Sequence, residues 1–375
     1  MERNVSIDAF RALGALLVFS FHTRFLIGKE FSTGWTGVSL FFVLSGYLIG
    51  GRLLELADRE LSLKAALASF YWRRVVRIFP VYVVFLLVVT AVALIIRDRA
   101  LLDSLPYAWT YTSNFYHASS AYVYDPILGP TWSLAVEEQF YLLFPFVVLL
   151  LGRRWLAPAL YAMIVAGPVI RWVLAIVIDH WPQYFTDKHE AVYVAGFTHI
   201  DAFAFGALIN LMPASLCAKL GRGHVILAAT AVAIALGWLT TGTMAGALWF
   251  SPTDAGAQLI WGYTAVDIVC MLLICRAVSR PTDSLGRATG PMAVIGQWSY
   301  SFYLIHLPII FLVSRAPQTF GVEVPGWLLL IVAFALTLGI ARTLYEWVEK
   351  PALRLRSRFD ANATQPRPPP RSVGA

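Results

Sequence analysis

About ten stretches of the chain are apolar for roughly the 17–25 residues that a bilayer crossing needs. They fall near 6–27, 35–54, 75–96, 132–151, 157–178, 199–213, 224–243, 258–278, 292–314 and 325–347. The sixth is the shortest. None shows the strict alternation of a barrel strand, in which every second residue faces lipid. The pattern therefore predicts an all-α fold: a polytopic integral membrane bundle of about ten transmembrane helices.

Polar positions between the runs orient the bundle. Lys and Arg gather in alternate connections: Arg52, Arg59, Lys64, Arg73, Arg74 and Arg77 before the third run, Arg153 and Arg154 after the fourth. Lys219 with Arg222, then Arg276, Arg280 and Arg287, continue the series, and Lys350, Arg354, Arg356 and Arg358 end it. The intervening connections are aromatic and Pro-containing, as in YTSNFYHASSAYVYDPILGP. Cationic loops stay on the cytoplasmic side, so both termini are expected there, in a multi-pass protein of the cell (inner) membrane. His117, His180 and His189 fall in the outer connections, where solvated side chains are expected. The first run carries Arg11 and His22 and lacks a small-residue cleavage site, so it reads as a span and not as a signal peptide. Residues 1–352 form one membrane domain in this reading. Residues 353–375 are a basic, Pro-rich cytoplasmic tail, expected to be disordered, and no extracytoplasmic domain is expected to follow.

Composition sharpens the class. The chain of 375 residues is 58% hydrophobic and 14% charged, with a mean hydropathy of +0.67; a soluble domain is about a quarter charged. The net charge of +7 lies in short runs between apolar spans, which argues against a nucleic-acid partner. Cys217, Cys270 and Cys275 show no paired spacing, so neither a disulfide framework nor a metal site is expected.

Against that background the ionisable residues inside the runs stand out. In RALGALLVFSFH, Arg11 and His22 are separated by ten apolar or small residues. Eleven steps of 100° end about 20° past three turns, so both side chains share one helix face, roughly 16 Å apart along the axis. Charges at membrane depth face a cavity or a partner, and two on one face mark a polar track. The plain alternatives are snorkelling for Arg11 and a hydrogen-bonded core histidine for His22. Arg74 and Arg77 lie three apart in FYWRRVVRIFP; guanidinium forks suit phosphate oxygens, although positive-inside anchoring accounts for them equally. Pro80 is expected to break or bend the helix entry. Glu137 and Glu138 in TWSLAVEEQFYLLFP point about 100° apart. A buried carboxylate beside an imidazole would fix its tautomer or favour its charge; the alternative is a complement to the helix dipole. Ser39, Ser45, Gly37 and Gly46 in GVSLFFVLSGYLIG suit close helix packing. Asp201, Asp267, Arg171 and His306 are further polar residues at membrane depth.

In their order, IDAFRALGALLVFSFH, GVSLFFVLSGYLIG, RRVVRIFP, TWSLAVEEQFYLLFP, HIDAFAFGAL, SYSFYLIHLPI and YEWVEKP resemble the membrane-bound acyltransferase family 3, from about residue 5 to 352. The resemblance implies transfer of an acyl group, often acetyl, onto sugars of the cell surface. It implies an essential histidine at His22, with Arg11 ten residues before it, an arginine pair at Arg74 and Arg77, and a motif on Trp132, Ser133, Glu137, Glu138, Phe140 and Tyr141. Ser39 stands where many relatives have aspartate. The expected roles follow. Arg11, Arg74 and Arg77 hold the phosphates of a cytoplasmic acyl-CoA, probed first as acetyl-CoA. His22 is a general base on a glycan hydroxyl arriving from outside, with Glu138 or Glu137 orienting it; Trp132, Ser133, Tyr141, Asp201 and His306 are substrate or structural candidates. An acyl relay through a covalent intermediate is the competing route. No permanently bound cofactor is expected. The alternative function is a transporter or flippase of a glycan or lipid intermediate, which also needs a polar track but consumes no thioester. A receptor is disfavoured by the short outer loops.

Overall fold

The computed structural model describes residues 4–29, 31–59, 61–243, 256–280 and 292–355. Arg287 and the tail beyond Leu355 lie outside them. Among the described residues sixteen α-helices follow in order: α1 (Val5–Phe21), α2 (Arg24–Ile27), α3 (Thr36–Ala57), α4 (Leu63–Ile96), α5 (Arg99–Trp109), α6 (Ser113–Ala118), α7 (Thr131–His180) and α8 (Lys188–Val194). Then come α9 (Ile200–Ile209), α10 (Ala214–Leu220), α11 (Gly223–Thr241), α12 (Gln258–Ser279), α13 (Met292–Gln297), α14 (Ser299–Phe320), α15 (Gly326–Leu344) and α16 (Lys350–Leu353). Among the described residues there is no strand, only an isolated bridge between Ser119 and Phe185.

Among the described residues eight helical segments are long and apolar enough to cross a membrane, and a bent pair, Lys188–Val194 with Gly196–Ile209, makes a ninth. Its second half overlaps the short sixth run, its first half lies in the stretch read as an outer connection, and the two halves meet at 68°. α7 covers two of the expected runs. Its 50 residues would be about 75 Å long at 1.5 Å per residue, far beyond a bilayer of about 30 Å. Gly152, at φ 68° and ψ 170°, interrupts it beside Arg153 and Arg154, where the chain turns back into the membrane.

Four features differ from the expectation. α4 begins at Leu63, capped by Ser62, whose hydroxyl accepts from the Ala65 amide at 3.3 Å. It runs through Pro80 without a break. Hydropathy finds the part of a helix that meets lipid, and the charged first turns are helical too. The ninth run is divided at Trp298 into α13 and α14. His117 is buried, stacked on Tyr122 at 4.1 Å between centroids; the outer connections fold over it, so it is not solvated.

Small residues bring the central helices together. A Cβ on Gly46 of α3 would collide with the Phe203 carbonyl of α9, and one on Gly206 of α9 with the Val43 carbonyl of α3. The two backbones therefore touch, as small-residue membrane interfaces allow. Around this contact the core gathers Leu40, Phe42, Val43 and Leu44 of α3 with Phe302 and Leu304 of α14. The two chain ends share a pole: Glu349 lies within electrostatic reach of Arg11 and Arg77, and the Trp72 indole donates to the Leu355 carbonyl at 3.4 Å. That is the Lys/Arg-rich pole.

Candidate active site

α1 sets the axis of the site. Asn4 caps it, accepting from the Ser6 and Ile7 amides at 3.0 and 3.3 Å, with Asp8 in the first turn, both favourable at a helix N-terminus. It ends at His22, its C-terminal cap. The Thr23 hydroxyl is positioned on the Ser20 and Lys29 carbonyls at 2.8 and 2.9 Å, which holds the chain where it leaves the helix. His22 thus stands at the C-terminal end of the helix, and Arg11 lies nearly two turns in from its start.

His22 meets α14. Its ring lies 5.3 Å from that of His306 and 5.2 Å from that of Phe21. His306 is 1% exposed, and its Nδ1 is 2.5 Å from the Tyr303 carbonyl one turn earlier. The Tyr303 hydroxyl is 2.5 Å from Ser133 Oγ of α7. Ser133 also sits 3.2 Å from the Pro130 carbonyl as donor, so its single proton goes there and Tyr303 donates to it.

Four-residue spacing puts Ser133, Glu137 and Tyr141 on one face of α7. Glu137 accepts a hydrogen bond from Ser45 of α3, and Ser45 Oγ is 3.1 Å from the Tyr141 hydroxyl. Glu138 points away, within electrostatic reach of Tyr82, Tyr111 and Tyr300. The electrostatic neighbours of His22 are His306 and Arg24, and neither glutamate is among them. The carboxylate that the sequence reading set beside the imidazole is therefore spent elsewhere: Glu137 on Ser45, and Glu138 turned by about 100° toward α4.

Toward the other pole lie Arg11, Arg74 and Arg77. Arg11 is in electrostatic range of Arg77, Glu349, Asp8 and Glu137, and Arg74 of Tyr141, Arg77, Glu138 and Glu137. The Arg74 guanidinium lies over the rings of Tyr141 and Phe70, at 5.3 and 5.9 Å. Arg74 Nε is buried with no partner. Among the described residues, none of the three guanidiniums makes a hydrogen bond or an ion pair within 4 Å. Glu349, 2% exposed on a π-helical turn (Tyr345–Glu349), faces them with Ser301 at 3.5 Å.

The remaining candidates are structural in their surroundings. Trp132 turns to the opposite side of α7 and packs on Tyr193 at 4.8 Å and Phe42 at 6.4 Å. Asp201 is bound by Arg171 through two bonds of 3.1 and 2.8 Å. Thr264 donates to Asp201 at 2.6 Å, and Arg171 also reaches the Ile260 carbonyl at 2.7 Å and that of Thr198. No group of three His, Cys, Asp or Glu side chains suited to a metal occurs among the described residues.

Sequence reasoning missed Ser45, Tyr303 and Glu349. Ser45 looked like a packing residue among glycines. Glu349 carried a usable signal, an acidic residue closing an apolar run in YEWVEKP. Tyr303 had none beyond its place one turn before His306.

The chain matches the family described as "Acyltransferase domain" over residues 4–346. It is similar to the O-acetyltransferase OatA of Staphylococcus aureus (strain NCTC 8325 / PS 47), 28% identical over 359 residues that cover 92% of this chain and 56% of that protein. It is also similar to the peptidoglycan O-acetyltransferase OatA of Listeria monocytogenes, 29% identical over 366 residues, 92% of this chain and 55% of that protein. The chain thus spans about half the length of these relatives. No solved structure matches it. With the match running from the cap of α1 to the last span, the chain belongs to this acyltransferase family.

Proposed function

We propose that the protein is a membrane O-acetyltransferase that moves an acetyl group from cytoplasmic acetyl-CoA to a hydroxyl of a cell-surface glycan. The observation that carries this reading is the polarity of α1, with unpaired guanidiniums near one end and an imidazole at the other. Half-buried cations at membrane depth without ion pairs are costly, and an anionic ligand relieves that cost. The phosphates of CoA supply such a ligand, held by Arg11, Arg74 and Arg77 through charge-assisted bonds. The slim pantetheine arm then follows α1, whose rise from Arg11 to His22 is roughly 16 Å. The thioester arrives beside His22, and the glycan enters from the outer pole.

The transfer step balances as follows. His22 takes the proton of the acceptor hydroxyl as general base. The hydroxyl oxygen bonds to the thioester carbonyl carbon, the carbon–sulfur bond breaks, and the proton passes from the imidazolium to the thiolate. An ester and free CoA leave. The name of the Listeria monocytogenes relative supports a glycan acceptor, with peptidoglycan as the first to test.

The test is thiol release from acetyl-CoA by protein in proteoliposomes, with and without a soluble muramyl glycan. Turnover that rises with the glycan, together with acetyl ester on the sugar, is expected. CoA binding with no thiol release under any acceptor would instead direct attention to transport.

A further inference from the structure

The imidazoles of His22 and His306 stand side by side, with ring centroids 5.3 Å apart and planes tilted by 41°. Each is missing one hydrogen bond. Nδ1 of His22 and Nε2 of His306 are both buried and without a partner. Buried polar atoms are nearly always paired, so two orphans on adjacent rings call for a shared explanation.

The bonding of His306 supplies it. Its Nδ1 lies 2.5 Å from the Tyr303 carbonyl. A carbonyl only accepts, so Nδ1 carries the proton, and Nε2 of the neutral ring is left as a lone-pair acceptor. The two orphans make no hydrogen bond to each other as the rings stand, but with centroids 5.3 Å apart a turn of the rings would bring an N–H on His22 Nδ1 to that acceptor. With its proton there, His22 holds the lone pair on Nε2, the state a general base needs.

We propose that His306 is the positioning residue for His22 in the transfer reaction assigned above. Its Nε2 accepts the His22 Nδ1–H, which fixes the ring and leaves His22 Nε2 to take the acceptor proton. This inference rests on that reading for its catalytic consequence. His306 fills the place that a carboxylate has beside many catalytic histidines. Here the carboxylates are engaged elsewhere: Glu137 with Ser45 and Glu138 on the tyrosine side of α7. During transfer His306 neither gains nor loses a proton. The charged and titratable groups facing the pair are Arg24 toward His22 and Tyr303 toward His306.

A neutral partner differs from a carboxylate in a testable way. It holds geometry without strongly stabilising the imidazolium, so what matters is an acceptor atom and not a charge. His306→Gln keeps an acceptor oxygen and an N–H that can serve the Tyr303 carbonyl; His306→Ala keeps neither.

The experiment uses the full chain in proteoliposomes with acetyl-CoA and the glycan acceptor, alongside nitrogen-15 NMR of the histidines in micelles. His306→Ala should lower kcat by about 10²-fold with KM for acetyl-CoA within about twofold. His306→Gln should recover about tenfold of that loss. The His22 signal, identified by its disappearance in His22→Gln, should report a proton on Nδ1 in the wild type and a mixed tautomer in His306→Ala. Wild-type kcat in His306→Ala, a glutamine variant no better than alanine, or a wild-type His22 protonated on Nε2 would each overturn the proposal. The NMR readout needs no acyl donor. A correct tautomer with no thioester turnover would sink the acetyl-transfer reading while sparing the pairing, and the reverse result would sink the pairing alone.

Discussion

Two polar regions, one buried and one largely half-buried, sit in the same bundle and solve opposite problems. The clamp of Arg171 and Asp201 is 0% exposed on both sides, and its charges are fully occupied by each other, Thr264 and two backbone carbonyls. The second region, from Arg11, Arg74 and Arg77 to His22 and His306, holds cations without ion pairs and ring nitrogens without partners. A buried ion pair is tolerable when every donor and acceptor is satisfied. A region that leaves those bonds open keeps capacity for something that arrives later. The clamp belongs to the fold, and on the function proposed above the open track belongs to a ligand.

Removing one half of the clamp should give the largest loss of stability. Arg171→Ala strands the Asp201 carboxylate and is expected to cost about 3–5 kcal/mol, read as a lower thermal midpoint in detergent. The double variant Arg171→Met with Asp201→Leu should be less harmful than Arg171→Ala alone. If the two are equally harmful, the clamp is not a self-contained pair.

The arginines should behave the other way. Arg74→Ala is expected to leave the thermal midpoint within a degree or two and to weaken CoA binding by about 10–100-fold, the worth of one or two bonds to a charged group. Calorimetric titration with CoA checks it, and a large destabilisation with unchanged affinity would move Arg74 into the structural class.

Ser45→Ala tests the boundary between the regions. It removes the donor to Glu137 and is expected to cost about 1–3 kcal/mol in stability. Ser45→Thr, which keeps the hydroxyl but adds a methyl close to the α3–α9 contact, separates the lost bond from the packing.

The smallest effect concerns the outer cap. Burial pushes the His117 imidazole down to about 3 from 6.5. Above pH 6.5 the ring is neutral whether folded or not. Below it the unfolded chain takes a proton that the folded state refuses, so stability falls from pH 6.5 downward. Asp125 works with the opposite sign. Burial raises its carboxyl to about 6, so the folded state holds a proton there first and gains stability as pH falls through 6. His117→Phe retains the ring against Tyr122 and removes only the first effect. Relative to wild type it should gain thermal stability between pH 7 and pH 5, and parallel curves would contradict the assignment.

The division between the regions was half legible in the sequence. Helical periodicity put Arg11 and His22 on one face, because both lie on a single helix and 3.6 residues per turn decides their registry. Hydropathy found the lipid-crossing runs, including both arms of α7, for the same local reason. It did not find the full length of α4, since Lys64, Arg73 and Arg74 interrupt the apolar residues of its first turns. Pairings between distant segments left no local trace. His306 reaches His22 across most of the chain, Ser45 reaches Glu137 from another helix, and Arg171 closes on Asp201 through the packing of α7 and α9. Each needs the fold before it can be seen. The expectation of a glutamate beside His22 failed on the same point, because chain order does not say which helix packs against the end of α1, and there it is α14 with His306.

The central claim is that the two ends of α1 divide the work, Arg11 for binding and His22 for chemistry. The most direct measurement is CoA affinity and acetyl turnover, side by side, for wild type, His22→Ala and Arg11→Ala in the same liposomes. The account predicts that His22→Ala binds CoA within about twofold of wild type and loses turnover by at least about 10²-fold, while Arg11→Ala weakens CoA binding by about tenfold or more. A His22→Ala protein that still transfers acetyl at the wild-type rate, or one that loses CoA binding as badly as Arg11→Ala, would contradict it.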